Sequence, residues 1–373
     1  MERLDKREKA CITDLPQISG RMGKPWEAIP ALRTISHLML IGFTALSWLY
    51  ALGLVAYLPL REVLWRRGWG VLAINFIPWL FMPLLVLIPL ALLLRAWPLR
   101  GATLLAVAVF LVLYGDRFLP RLSPAQANRP GFRVMTWNIH LHNPSVDEAA
   151  ATIARESPDI VALQELGAEM AAGLVARLGE RYPYRALHPE AGYWSSGVLS
   201  RHPILEDEGF LVSAGQRIAH HLVLEVAGQP LHLFNVHLHL RGVGEGNGGE
   251  FLTSTFPGLR AAFLQDEEVD RLLAEVQAQH GPVLVVGDFN LTDQTPNYAR
   301  INAVLGDAFR QAGWGFGFTY PNKKRVRGLY TPFPLVRLDY VFHSPDLRAT
   351  RAWVGKEGGS DHRYVVVELS HQD

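Results

Sequence analysis

Six places along the chain set a carboxylate, amide or imidazole directly against an apolar run that reads as a buried strand. Asn138 closes "FRVMTWN", Glu165 follows "DIVALQ", and His237 lies inside "LHLFNVHLHL". Asp288 and Asn290 close "VLVVGDFN", Asp339 sits in "VRLDYVFHS", and Asp361 and His362 precede "RYVVVEL". An Asp or Asn after a strand is ordinarily a turn former. Turn chemistry does not account for Glu165 straight after a buried run, for His237 between Val236 and Leu238, or for an Asp-His pair behind Gly-Gly-Ser. Taken together, the carboxylates offer oxygen ligands for a hard divalent cation and a base. The imidazoles and amides offer donors to developing negative charge.

The stretches between these sites carry the period of amphipathic helices. Ser145 with Glu148 three residues on has the spacing of a capping box, and the helix it opens stops at Ser157-Pro158. "AEMAAGLVARLGERY" and "RAAFLQDEEVDRLLAEVQAQH" follow, the second with Leu264, Val269, Leu272, Leu273 and Val276 at core spacing. Strands alternating with helices point to a layered α/β sandwich from about residue 131 to 373.

The remainder of the chain differs in character. Residues 1–130 carry 15 Lys/Arg against 7 Asp/Glu, and residues 131–373 carry 21 against 28, so the total of +1 hides a basic part and an acidic part. An acidic domain has no broad basic face for gripping phosphate backbones, which makes non-specific polynucleotide binding the weaker expectation. The single cysteine, Cys11, excludes an intrachain disulfide and a cysteine-based metal cluster, and no disulfide-linked partner is expected.

Residues 35–119 read as a transmembrane region of three helices at about 35–60, 71–94 and 99–119. A basic arm, 1–34, precedes it, and a proline-rich linker, 120–130, follows it. The first run has no charged residue; the second contains three prolines, which a membrane helix tolerates where neighbours satisfy the freed carbonyls. A cleaved signal peptide is the weaker alternative, because the first run is long, starts late and is followed by two more. Placing the arm and the 95–100 loop inside sets nine positive residues against the three of Arg61, Arg66 and Arg67, so the N-terminus is expected in the cytoplasm. Three crossings then put the large domain outside, probing a plasma or inner membrane from its outer face; if the third run does not cross, the domain is cytoplasmic.

The segments "TWNIH", "LQEL", "SGVLSRHPI", "NVHLHL", "GDFN", "RLDYVF" and "GSDHR", in this order over roughly residues 131–370, resemble the endonuclease/exonuclease/phosphatase family, which includes deoxyribonuclease I. The resemblance implies a four-layered α/β/β/α sandwich with its site at the top of two packed sheets. It implies that Glu165 is the main ligand of a divalent cation, Mg²⁺ or alternatively Mn²⁺, with Asn138 and Asp361 close by. It implies that Asp288 and Asn290 orient or deprotonate the attacking water and hold the phosphate. His362, paired with Asp339, and His237 would face the phosphoryl oxygens. The chemistry is consistent: Mg²⁺ is often held by one or two carboxylates plus substrate, and a carboxylate-paired imidazole stays protonated to donate. Where many family members have an asparagine, this chain departs with Ser195-Ser196, so the resemblance does not carry over the substrate contact normally made there.

His239 is read as an ordinary polar residue on the face of His237, and His140 and His142 as surface residues at the mouth. Three loops bear on substrate. "RGVGEGNGGEFLTSTFPG" is glycine-rich and offers Phe251, Leu252 and Phe256 to an acyl chain or bilayer. Lys323, Lys324, Arg325 and Arg327 suit anionic headgroups or a nucleic acid strand, and Tyr193 and Trp194 suit a base or an interface. The expected substrate is a phosphodiester or phosphomonoester in or near a membrane, with DNA or RNA as the alternative and an inactive binding module as a third reading.

Overall fold

The computed structural model describes residues 30–65, 74–119, 131–239, 257–323, 325–326, 329–356 and 358–372. The basic arm before residue 30, the 120–130 linker, the 240–256 loop, Lys324 and Arg327 lie outside the described residues. By packing, the chain divides into one unit of Met1–Val55 with Leu84–Val107 and a second of Ala56–Pro83 with Ala108–Asp373.

The apolar region holds helices α1 (Pro30–Trp65), α2 (Leu84–Leu93) and α3 (Trp97–Tyr114). Two stretches, Thr34–Arg61 and Trp97–Arg117, are long and apolar enough to cross a membrane. The second apolar run, read from the sequence as a span over 71–94, gives a shorter apolar helical stretch, Ile77–Leu93, among the described residues. Ile77–Phe81 forms a tight 3₁₀ turn, and α2 has ten residues, about 15 Å and so half of a hydrocarbon core. Pro78 sits in the first positions of the 3₁₀ turn and Pro83 just before α2, and each removes a backbone donor and interrupts regular α-helix. In the first unit small residues let helices approach closely: a Cβ on Gly101 would lie 3.0 Å from the Trp48 ring, and Ala51, Leu99, Ala102 and Ala106 are buried.

The second unit is built on two six-stranded sheets. One has the order β13 (Leu347–Val354), β14 (Val365–His371), β1 (Phe132–Asn138), β2 (Ile160–Gln164), β4 (Ser196–Ser200), β3 (Tyr184–His188). The other has the order β5 (Ile204–Ser213), β6 (Gln216–Val226), β7 (Gln229–His237), β8 (Val283–Asp288), β12 (Asp339–His343), β9 (Gly306–Asp307). A two-residue pair, β10 (Arg325–Val326) and β11 (Leu329–Tyr330), stands apart.

Alternation along each strand sorts its side chains into separate cores. Val134, Ile160, Leu222, Leu233, Leu284 and Val341 fill the space between the sheets. Met135, Trp137, Val161 and Leu163 face the other way, toward α4 (Val146–Glu156) and α5 (Ala168–Leu178). Phe234, Val285 and Phe342 likewise face α6 (Pro257–Ala278) and α7 (Pro296–Val304), where Val269, Leu272 and Val276 are buried and Leu273 is partly so. The short α8 (Ala308–Ala312) follows β9. Three stacked cores give the sandwich its order of helix, sheet, sheet, helix.

The cap of α4 is half of the expected box. Ser145 Oγ accepts from the Glu148 amide, but the Glu148 carboxylate accepts from Gly358 N at 3.0 Å and so ties α4 to the segment before β14. The 74–81 stretch belongs to this unit by its contacts. Trp79 Nε1 donates to Leu335 O at 2.7 Å, Thr292 Oγ1 donates to Asn75 Oδ1 at 2.8 Å, and Phe81 meets Phe110 and Tyr114. Arg117 reaches Asp293 at 3.4 Å, with both side chains buried.

Candidate active site

Strand polarity gathers the six polar strand ends. β1, β2, β7 and β8 deliver theirs at C-terminal ends, whereas Asp339 opens β12 and Asp361 and His362 precede β14. Antiparallel pairing of β12 with β8 and of β14 with β1 sets both kinds of end on one rim. The register is level: His237 stands opposite Asp288, and Asp288 opposite Asp339.

Asn138 joins the two sheets at this rim. Its Nδ2 donates to Glu165 Oε1 at 3.0 Å and to Asp288 Oδ2 at 3.1 Å. His362 Nδ1 pairs with Asp339 Oδ2 at 2.9 Å, which aims Nε2 toward Asp288 Oδ2, 3.7 Å away. His237 Nδ1 meets the Tyr193 carbonyl at 3.0 Å, so it carries the proton and leaves Nε2 as the tip, 3.9 Å from both Glu165 and Asp288. Asp288 Oδ1 accepts the Asn290 amide N–H at 2.9 Å, and Asn290 Nδ2 donates to Leu238 O at 2.8 Å, leaving one amide hydrogen for another acceptor. The structure therefore brings Asn138, Glu165, His237, Asp288, Asn290, Asp339 and His362 into one contact network, and Asp361 joins it through His140.

His140 is placed by a conformation that the sequence reading passed over. Its φ is +66°, and its Nδ1 lies 3.6 Å from Glu165 Oε2 and 3.6 Å from Asp361 Oδ1. Glu165 and Asn290 also have positive φ, +52° and +50°, so three non-glycine residues of this rim occupy the left-handed region. Such strain persists where the surroundings over-determine it and clusters at functional sites. Gly287 has a firmer requirement: at φ +144° a Cβ would fall 1.9 Å from Val236 O.

Electrostatics separates the carboxylates. Burial disfavours ionised Glu165, yet His140, His237 and Asn138 outweigh it and hold the group at about 2. Burial dominates at Asp288 and lifts it to about 6, with His362 opposing and Asp339 adding to the rise. Burial alone would depress His362, but Asp339 and then Asp288 raise it to about 10. The rim thus holds an ionised glutamate, an aspartate poised near neutrality and a cationic imidazole.

Two donor sets here bear on a divalent metal. Asp288, Asp339 and His362 offer donor atoms within 4.8 Å of one another, but a protonated imidazole has no lone pair to give. Glu165 and Asp361 fit a hard cation better, because a carboxylate oxygen of each lies 3.6 Å from Nδ1 of His140, so the two carboxylates turn toward one point. The wall beside His237 is aromatic: Trp194 lies 5.3 Å from its ring and 4.3 Å from that of His239. His239 pairs with the buried Glu268, so it is anchored in the wall instead of being a free polar residue. His142 contacts His140 and Tyr193. The Ser195 hydroxyl is spent on Gly192 O at 2.5 Å.

Residues 135–362 match the Endonuclease/Exonuclease/phosphatase family, a span that includes every one of these groups. The chain belongs to that family. A Caenorhabditis elegans relative, "Uncharacterized protein F14F9.5", is 26% identical over 126 residues, covering 33% of this chain and 38% of its own; this chain thus spans under two fifths of that relative. The endonuclease/exonuclease/phosphatase from Bacteroides vulgatus is similar with a TM-score of 0.52 and 20% identity, over 65% of this chain and 100% of the other. D. rerio TDP2 complexed with single strand DNA product is similar with a TM-score of 0.50 and 17% identity, over 65% and 100%. At these identities the likeness is one of fold, and it places the family's sandwich on the part of the chain that carries the rim.

Proposed function

We propose that the chain is a membrane-tethered hydrolase of phosphoric esters, dependent on Mg²⁺ or Mn²⁺, whose substrate is a lipid or another membrane-proximal phosphoester. The observation that carries the chemistry is the row His237, Asp288, Asp339 and His362 beside ionised Glu165. Asp288, poised at about 6, accepts the proton of the attacking water, and Asn290 holds the loop that orients it. His362, kept cationic by Asp339, donates to the phosphoryl oxygens as negative charge gathers there, and the Nε2 tip of His237, whose Nδ1 proton is held by the Tyr193 carbonyl, joins it as a donor only in the doubly protonated ring. The water oxygen bonds to phosphorus as the ester P–O bond breaks. Glu165 and Asp361, with Asn138 close by, would hold a Mg²⁺ ion, which would supply Lewis-acid neutralisation of the same charge.

A lipid substrate is supported by the two apolar stretches and by aromatic residues left in solvent on the catalytic unit. Trp314 is 70% exposed, Tyr330 57% and Phe333 49%, the residue types that settle at bilayer interfaces. Orientation, with the arm in the cytoplasm and the catalytic domain outside, requires an odd number of crossings. Two helices of crossing length meet that requirement only if the 74–94 segment crosses as well. Cys11, the single cysteine, gives the test: an impermeant maleimide applied to intact cells should leave it unlabelled, while protease should cleave the catalytic domain.

The chemistry is tested with the full-length protein in detergent against phospholipid, sphingomyelin, inositol phosphates, DNA and RNA, with and without chelator. Metal-dependent release of phosphate or headgroup from a lipid supports the proposal. Activity confined to DNA or RNA moves the substrate to nucleic acid, and none on any ester leaves a binding module.

A further inference from the structure

A second cluster of metal-ligating side chains stands outside the rim. His188 ends β3, Asp207 lies in β5 and His220 in β6, and one donor atom from each falls within 4.8 Å of the others. From these residues we infer a zinc site, formed by the two imidazoles and the carboxylate, that fixes the turn carrying Tyr193 and Trp194.

The three donors converge within 4.8 Å, with the two histidines meeting different oxygens of Asp207. His220 Nε2 lies 2.8 Å from Asp207 Oδ1, and His188 Nε2 lies 3.4 Å from Asp207 Oδ2. Ligands about 2.0–2.1 Å from zinc sit roughly 3.3 Å apart on a tetrahedron, so little motion is needed to close the set. Nitrogen donors select a borderline transition ion over Mg²⁺, which prefers oxygen throughout; this distinguishes the cluster from Glu165 and Asp361. The rings are also held in place. Phe210 stacks on His220 at 4.6 Å and 21° and meets His188 edge-on at 4.9 Å, and His220 is fully buried. Behind His188, Glu190 Oε1 lies 3.8 Å from Nδ1, outside hydrogen-bond distance but placed to take the Nδ1 proton as the ring settles on the ion. Arg217, the nearby cation, is itself paired with Glu190 at 3.4 Å and does not face the site alone.

The cluster has a consequence for the rim because of chain order. His188 leads directly into the turn Pro189–Trp194, whose Tyr193 carbonyl accepts from His237 and whose Trp194 ring lies against His237 and His239. Pinning His188 to β5 and β6 limits the motion of that turn and so fixes the tautomer and direction of His237.

The test uses the full-length protein in detergent, stripped with chelator, reloaded with Zn²⁺, passed over a desalting column and analysed for metal. Wild type should retain one zinc that His188→Ala and Asp207→Asn do not, with affinity reduced more than about a hundredfold. Glu190→Gln should weaken it by about tenfold. Thermal unfolding of each variant establishes that it is folded; His188 and Asp207 are 30% and 39% exposed, so both replacements are sterically mild. Hydrogen exchange over residues 189–194 should slow on adding zinc to wild type and not to His188→Ala. Glu165→Gln should retain the zinc. Failure to bind zinc, or zinc lost from Glu165→Gln and kept by His188→Ala, overturns the site; neither result bears on ester hydrolysis at the rim. Zinc binding without slower exchange removes the action on the turn.

Discussion

Replacing Asp339 by asparagine separates the charge at His362 from its orientation. The amide oxygen can still accept the Nδ1 proton now bonded at 2.9 Å, so the ring keeps its place while the negative charge is lost. Raising this imidazole from 6.5 to about 10 corresponds to about 5 kcal/mol of preference for the cation. Asp339 contributes more of this than Asp288, and burial opposes both, so its removal forfeits about 3 kcal/mol or more. The sign follows. A raised value means that in wild type the donor is fully charged below about 6.5 and is lost only as pH climbs through about 10. In Asp339→Asn that loss moves down into the neutral range. With Asp288 titrating at about 6, wild type should show a rate plateau from about 6 to about 10. The assay is the pH dependence of kcat/KM on a chromogenic nitrophenyl phosphodiester at saturating Mg²⁺. The variant should be slower by about a hundredfold or more at pH 8, the cost typical of a lost oxyanion donor, and should recover part of this near pH 6. An alkaline limb superimposed on that of wild type would refute the assignment of His362 as a cationic donor, whatever the size of the rate loss.

Glu165→Gln should abolish saturable activation by Mg²⁺ and lower kcat by about a hundredfold or more, measured as rate against metal concentration. Asp293→Ala leaves Arg117 and Arg310 buried without their carboxylate, at a cost of about 3–5 kcal/mol in denaturant unfolding at pH 7. Burial works against ionised Asp293, but Arg117, Arg310 and Arg337 hold it at about 2 against an ordinary 3.8. Its stabilisation is therefore present above about 3.8 and fades as pH falls toward 2, so the gap between wild type and variant should narrow there. Gly287→Ala, with a Cβ 1.9 Å from Val236 O, should lose more than about 4 kcal/mol and fail to give a cooperative melt.

How much of this could be read from the chain depended on whether a signal was local. Polar residues at the ends of apolar runs are visible because a buried strand tolerates few of them, whereas the level pairing of His237 with Asp288 and Asp288 with Asp339 appears only in the sheet. The middle apolar run shows the limit of composition. Its hydropathy suggested a crossing helix, but Pro78 and Pro83 divide it, and Asn75 and Trp79 spend their polar atoms on Thr292 and Leu335. Glu148 had the right spacing for a capping box, yet its carboxylate went to Gly358, 210 residues away, because a tertiary amide competed successfully with the local one. His140 gave no periodic signal at all. It lies in the left-handed region, where the outward alternation of a strand no longer applies, and this turns the imidazole back between Glu165 and Asp361.

The same reasoning explains why His188, Asp207 and His220 went unnoticed. They come from three strands in two sheets, each with an ordinary polar neighbourhood, and only the packing of the sheet edges makes them one cluster. Sequence motifs report groups whose spacing is fixed by one element. Groups assembled by separate elements become legible only through register. Both the rim and the zinc cluster are assembled by separate strands, but each rim residue borders an apolar run that marks it in the sequence, and a single turn, Pro189–Trp194, connects the two sets. Because that turn begins at one set of ligands and ends against His237, any change in its position must be felt at the rim as a change in where Nε2 points, without altering a residue of the rim itself.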